Sequence, residues 1–255
     1  MPLPETEFPE AEFMRGGLAP ARTAFFLDFD GTLARIVPDP ERASVEARTL
    51  AALRRLRETA GGAVAVVSGR SIAQLDRMLH PLRLPAAGVH GLERRDAAGT
   101  LRTTPFDAAA QHRLAATVGA FVGDRPGLLA EVKPGSVALH YRKRPEMEAD
   151  SLAFAIELAR ADPRIRIVEG KKVVEMKLSP RTKGHAIADF MTEPPFAGRR
   201  PFFAGDDVTD EAGFSLVNEM GGVSLKVGPG ETHARYRIDG TDAFALWLER
   251  LAGRD

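Results

Sequence analysis

Short apolar runs alternate with amphipathic stretches along most of this chain. Residues 24–29 (AFFLDF) and 63–67 (AVAVV) read as buried strands, and residues 86–89 as a weaker one. Between them, residues 41–60 carry Ala47, Leu50, Leu53 and Leu56 at helical spacing and end on Gly61-Gly62. Residues 71–79 predict a short helix stopped before Pro81. Continuous apolar strands separated by helices predict a parallel sheet covered on both faces. The middle of the chain changes pattern. Helical stretches at residues 106–122 and 146–160 accompany two hairpin signals, one turning at Pro134-Gly135 and one at Glu169-Gly170. The first pattern then returns, with helices over residues 183–191, 208–220 and 243–252 and strands over residues 201–204 and 223–227.

The expected fold is α/β: a doubly wound parallel-sheet core interrupted by an inserted α+β module with its own antiparallel sheet. The expected division is a loosely ordered tail over residues 1–20, core over 21–104, insert over 105–178 and core again over 179–255, with hinges near Thr104-Pro105 and residues 178–180.

Composition narrows the chemistry. The 35 basic and 35 acidic side chains cancel, which argues against a nucleic-acid binder living on a positive field. The 255 residues contain no cysteine, so thiol nucleophiles, disulfides and zinc-thiolate sites are excluded. No apolar run approaches the roughly 18 residues of a membrane helix. The first residues lack the basic start and apolar stretch of a secretory signal, so the cytoplasm is the expected location.

Three polar segments each follow a predicted core strand: Asp28-Phe29-Asp30-Gly31-Thr32, then Ser68-Gly69-Arg70, then the run from Gly205 through Asp206, Asp207 and Asp210 to Glu211. In open parallel sheets ligands bind beyond the carboxyl ends of the strands, so these segments converge on one sheet edge. Taken singly, Asp28 or Asp206 reads more readily as a helix cap or turn residue, and Ser68 as an ordinary strand end. Five carboxylates at two strand ends are harder to dismiss, because like charges repel unless a cation sits among them. Carboxylate oxygens are hard ligands and suit Mg²⁺.

The run Asp28-Phe29-Asp30-Gly31-Thr32-Leu33 resembles the first motif of the haloacid dehalogenase-like phosphohydrolases. Ser68, Lys183 and the Gly205-Asp206-Asp207 run to Asp210 resemble its other three motifs, in order. The insertion falls where that superfamily carries C2-type (C2B) cap domains. Val67-Ser68-Gly69-Arg70, Gly88-Val89-His90-Gly91-Leu92-Glu93, Glu131-Val132-Lys133-Pro134-Gly135, His140-Tyr141-Arg142 and Val173-Val174-Glu175-Met176-Lys177 resemble the trehalose-6-phosphate phosphatase family. The likeness covers nearly everything after Thr23.

The resemblance implies hydrolysis of a phosphate monoester through an aspartyl-phosphate, the last step of trehalose biosynthesis. Asp28 is then the nucleophile and Asp30 the acid and base, with Ser68 and Lys183 on the phosphoryl oxygens. Mg²⁺ is then bound by the Asp28 side chain, the Asp30 carbonyl and Asp206, while Asp207 and Asp210 hold its waters or orient Lys183. With all three ionised, the charges of Asp28, Asp30 and Asp206 balance those of Mg²⁺ and Lys183. Glu131, Lys133 and Glu175 are carried over as the glucose-binding group, with Arg70, His90 and Gly91 on the core side. His140 and Arg142 lie on the hairpins as further candidates. The substrate is a small molecule, and the resemblance adds a functional link to a trehalose-6-phosphate synthase. Two other readings stay open: phosphatases of sucrose, mannosyl-glycerate or glucosyl-glycerate phosphates, and a receiver-like module phosphorylated on Asp28 as a signal. Asp30 and the insert argue against the second.

Overall fold

The computed structural model describes residues 6–7, 18–170 and 172–253. The described chain forms two compact units: Thr103–Arg181, and the remainder on either side of it.

The larger unit is built on a nine-stranded sheet. In chain order its strands are β1 (Thr6–Glu7), β2 (Thr23–Leu27), β3 (Val64–Val67), β4 (Ala86–Gly88), β5 (Glu93–Arg95) and β6 (Leu101–Thr103), then β11 (Arg200–Gly205), β12 (Val223–Val227) and β13 (Tyr236–Ile238). In space the order is β1-β13-β12-β11-β2-β3-β4-β5-β6. Every pairing from β1 to β4 is parallel, and β5 runs antiparallel to β4. The chain winds outward one way from β2 and the other way from β11, so the topological switch point lies between these two.

Alternation along β2 explains the two layers. Phe25 and Leu27 face one side, with Val64, Val66, Phe202 and Leu225. Helices α1 (Ala47–Thr59), α2 (Ile72–Met78) and α7 (Gly240–Ala252) supply side chains to that cluster. Ala24 and Phe26 face the other side, with Val67 and Phe203, against α5 (Lys183–Met191) and α6 (Glu211–Glu219). Aromatic rings fill both layers: Phe202 stacks on Trp247 at 5.2 Å on the first side, and Phe26 on Phe196 at 5.5 Å on the second. Full burial of each such ring contributes about 1.5–3 kcal/mol.

The smaller unit pairs a four-stranded antiparallel sheet with two helices. Its strands are β7 (Leu129–Lys133), β8 (Ser136–His140), β9 (Arg166–Gly170) and β10 (Val173–Lys177), in the order β7-β8-β10-β9. Val137, Leu139, Val174 and Met176 share one core with residues of α3 (Ala108–Gly123) and α4 (Glu148–Ala161). Phe121 of α3 stacks on Phe154 of α4 at 4.1 Å. The turn between β7 and β8 is held by Gln111, which donates to the Lys133 carbonyl at 2.7 Å and accepts from the Gly135 amide at 3.1 Å.

Several expected boundaries shift. The helix read from residue 41 starts at Ala47, because Pro40–Arg42 makes a separate 3-10 turn capped by Asp39 and the chain stays extended at Glu46. The stretch read as one helix from Val208 is a 3-10 turn, Val208–Asp210, followed by α6. Strands β5, β6 and β13 are three residues each, β5 and β6 without apolar alternation and β13 too short to carry a periodic signal, and they were not expected. The expectation of a loosely ordered tail lies largely outside the described residues; within that span Thr6–Glu7 pairs with β13 and Leu18 is buried.

Candidate active site

The C-terminal ends of β2, β3, β11 and β12 place four loops at the switch point. Asp28 directly follows β2, and its amide donates to the Ala204 carbonyl of β11 at 2.9 Å. The following loop is closed by the Leu33 and Ala34 amides on the Phe29 carbonyl and by the Gly31 amide on the Ala34 carbonyl. Thr241, at the start of α7, donates to the Gly31 carbonyl at 2.8 Å. Gly31 has φ +82°, and a Cβ there would lie 2.1 Å from Asp206 Oδ2. Only glycine lets the first segment approach Asp206 of the third this closely. The Thr32 hydroxyl is buried with no hydrogen-bond partner among the described residues.

Lys183, the first residue of α5, is buried between two acids. Its Nζ donates to Asp28 Oδ1 at 2.6 Å and to Asp210 Oδ1 at 2.7 Å. Thr182 caps α5 by accepting from the His185 amide, which fixes the helix start that aims Lys183. The other oxygen of Asp210 accepts from the Asp206 amide at 3.0 Å and the Asp207 amide at 2.9 Å. Asp210 is therefore engaged on both oxygens, the geometry of a group that orients Lys183 and shapes the loop.

Carboxylate oxygens of Asp28, Asp206 and Asp210 lie within 4.8 Å of one another, and all three residues are buried. Burial pushes the Asp28 carboxyl well above its ordinary value; Lys183 opposes this, and the neighbouring Asp210 and Asp206 charges add to it. Lys183 is driven upward instead, since the two acids outweigh the cost of its burial. Lys183 is paired with two of these three buried acids, Asp28 and Asp210. An all-oxygen donor set of this size fits a hard divalent cation.

Asp30 is held differently. Arg70 grips it bidentately, Nε to Oδ2 and a terminal nitrogen to Oδ1, both at 2.7 Å, with the guanidinium 5.3 Å from the Phe29 ring centroid. Ser68 is buried at the end of β3, and its Oγ accepts from the Arg70 amide at 3.2 Å. His90 is buried as well, in a turn where Val89 has φ +48° and His90 φ +53°. Left-handed backbone at a β-branched residue is a strained conformation that costs on the order of 1–3 kcal/mol. Here it packs the His90 ring against Gly69, where an added Cβ would sit 2.8 Å from the imidazole. Gly91 completes the turn at φ +95°.

The candidate sugar-binding residues assemble within the smaller unit. Register places Glu131 and Glu175 on either side of Ala138, so the two share one sheet face. Glu131 accepts from Lys133 Nζ at 3.3 Å and pairs with His140 Nε2 at 2.9 Å. Burial raises the Glu131 carboxyl, but His140 and Lys133 outweigh it and the net shift is downward. Glu175 is buried and accepts from the Ser136 hydroxyl at 2.6 Å. Arg142 stands past the end of β8, half-buried.

Sequence reasoning did not single out Lys226, Thr241, Ser136 or Gln111. Each acts through a main-chain or side-chain contact that depends on tertiary register, and none carries a local spacing signal.

An open sheet of this order, with its acids at the switch point and a second unit inserted midway, is the haloacid dehalogenase-like arrangement. The fold is similar to that of a haloacid dehalogenase-like hydrolase from Bacteroides thetaiotaomicron, with a TM-score of 0.64 at 14% identity over 90% of this chain and 99% of that one. It is more similar to the C-terminal domain of a C. albicans trehalose-6-phosphate phosphatase, with a TM-score of 0.89 at 21% identity over 98% of this chain and 99% of that one. The trehalose-phosphatase family model matches residues 26–242. The trehalose-6-phosphate phosphatase of Escherichia coli (strain K12) is 40% identical over 251 residues, covering 98% of this chain and 91% of that protein. A probable trehalose-phosphate phosphatase of Sinorhizobium fredii is 42% identical over 208 residues, covering 81% of this chain and 78% of that protein. This chain belongs to the trehalose-phosphatase family.

Proposed function

We propose that this chain hydrolyses trehalose 6-phosphate to trehalose and inorganic phosphate, with Asp28 as the nucleophile. The observation that carries the reading is the buried Asp28–Lys183–Asp210 triad beside Asp206, at contacts of 2.6 and 2.7 Å. An Asp28 oxygen attacks phosphorus, and the bond from phosphorus to the sugar oxygen breaks as Asp30 protonates that oxygen. Water then attacks the aspartyl-phosphate while Asp30 takes its proton, releasing phosphate and restoring Asp28. Arg70 holds both Asp30 oxygens, so Asp30 exchanges one of those bonds for the leaving oxygen as it works. Lys183 and the Ser68 hydroxyl stabilise charge on the phosphoryl oxygens.

Mg²⁺ would be held by Asp28, the Asp30 carbonyl and Asp206, with Asp207 and Asp210 supporting, and would supply charge neutralisation of the phosphoryl group. In this reading Glu131, Lys133 and Glu175 of the inserted unit bind glucose hydroxyls, with His140 and Arg142 as further candidates there, and Arg70, His90 and Gly91 are the candidates on the larger unit. The inserted unit, Thr103–Arg181, is then the specificity domain. A reaction that forms the sugar phosphate must precede this one, which is the basis for a functional link to a synthase and for a cytoplasmic location. No helix among the described residues is long and apolar enough to cross a membrane.

The test is phosphate release in the presence of Mg²⁺ from trehalose 6-phosphate, beside sucrose 6-phosphate and a generic aryl phosphate. Preference for trehalose 6-phosphate is expected. Equal turnover of all three would remove the substrate assignment while leaving the phosphatase chemistry.

A further inference from the structure

Lys226 is a buried charge to which the catalytic reading gives no task. It is only 4% exposed, and it sits one residue before the end of β12. Parallel register sets it beside Gly205, the last residue of β11. Its Nζ donates to the main-chain carbonyl of Asp206 at 2.7 Å. That carbonyl lies just where β11 leaves the sheet, so Lys226 takes over the role of a strand partner at the point where the ladder ends.

The same peptide is gripped on its other side. The Asp207 amide, bonded to the Asp206 carbonyl carbon, donates to Asp210 Oδ2 at 2.9 Å. Lys226 and Asp210 thus fix both ends of the Asp206–Asp207 peptide plane. Asp206 itself has little room to turn, because its carboxylate lies against the Gly31 Cα. Burying an ammonium against a neutral carbonyl is costly unless a field of opposite sign compensates. The three buried acids around one lysine supply such a field.

We propose that Lys226 is a positioning residue for Asp206. Its ammonium fixes the main chain from which the Asp206 carboxylate projects. The inference rests on the proposed function for its kinetic arm and on the acid cluster alone for its binding arm. Lys226 has no contact with the reacting groups in this account; it acts through Asp206.

The test uses the full chain with Lys226→Met, Lys226→Gln and Lys226→Arg. Mg²⁺ affinity is measured by calorimetry on the metal-depleted protein, and kcat and KM are measured with trehalose 6-phosphate. Lys226→Met is expected to weaken Mg²⁺ binding by about 10- to 100-fold and lower kcat by a similar factor, with KM nearly unchanged. Lys226→Arg restores part of both. Lys226→Gln keeps a donor without the charge and falls between, and it serves in place of the methionine variant if that one does not fold. Unchanged Mg²⁺ affinity in a folded Met or Gln variant, with only a lower Tm, overturns the proposal. If the wild-type chain releases no phosphate from trehalose 6-phosphate, the substrate reading fails while the Mg²⁺ titration still decides the role of Lys226.

Discussion

Two carboxylates in this molecule meet the same first influence and end on opposite sides of their ordinary values. Burial raises both Asp28 in the larger unit and Glu131 in the smaller one. Asp28 stays raised because its one cation, Lys183, is shared with Asp210, and Asp206 adds a further negative charge. Glu131 is lowered because His140 and Lys133 both turn to it. The difference is one of charge supply. The first site is short of positive charge, which suits a place that must accept a metal ion. The second is internally balanced, which suits a place that must offer oriented hydrogen bonds to a neutral sugar without further ions.

The sharpest way to break the contrast is to neutralise Asp28. Asp28→Asn should lower turnover on the order of 10⁴-fold or more, with a melting temperature equal to or above that of the parent, since a like charge leaves a crowded site. Rates within tenfold of the parent would end the assignment of Asp28. Next in size is Asp210→Asn. An amide cannot accept from Lys183 and two backbone amides through equivalent oxygens, and chemical denaturation should show a loss of about 3 kcal/mol, as for a buried pair stripped of one partner. A fully stable variant would mean that Asp210 is not the anchor of Lys183 and the loop.

In the balanced site effects should be smaller. Glu131→Gln keeps the shape and removes the charge, and kcat/KM for trehalose 6-phosphate should fall by about 10- to 100-fold, mostly through KM, the size of a charge-assisted hydrogen bond. An unaltered KM would exclude Glu131 from sugar binding. The smallest effect is on stability against pH. The folded value of Glu131 lies below the unfolded value near 4.5, so on acidification the unfolded chain takes up the proton first. The stabilisation is present above about pH 4.5 and is lost as pH falls through the lowered folded value. Thermal unfolding between about pH 6 and pH 3.5 should therefore show a flatter decline in Glu131→Gln than in the parent. Identical slopes would mean that His140 and Lys133 do not hold Glu131 in solution as they do here.

The core strands were legible because β2, β3, β11 and β12 are buried on both faces and leave continuous apolar runs. The inserted hairpins were legible from Pro134-Gly135 and Glu169-Gly170. Strands β5, β6 and β13 were not. β6 is an exposed edge and β5 carries Glu93, Arg94 and Arg95, the last of which is buried only because Asp76 and the Leu84 carbonyl receive its guanidinium. Pairing of that kind is invisible to periodicity. The same division holds at the site. The acids of the loops after β2 and β11 announced themselves by clustering after strands, and their convergence followed from the parallel sheet. The Arg70 grip on Asp30, the left-handed turn at Val89 and His90, and Lys226 behind Asp206 all depend on contacts between distant segments.

The position of β2 has a consequence for how the enzyme comes into being. β2 is among the first core strands made, yet one of its two neighbours is β11, and Thr23 meets Arg200 across that pairing. On a ribosome adding about 5–20 residues per second, the wait between them is on the order of ten seconds or more. During that interval Phe25 and Phe26 have no β11 beside them, while the inserted unit has all its own strands and helices and can fold first. Asp28 therefore meets Lys183 and Asp206 late in synthesis, and an incomplete nascent chain lacks the assembled acid cluster.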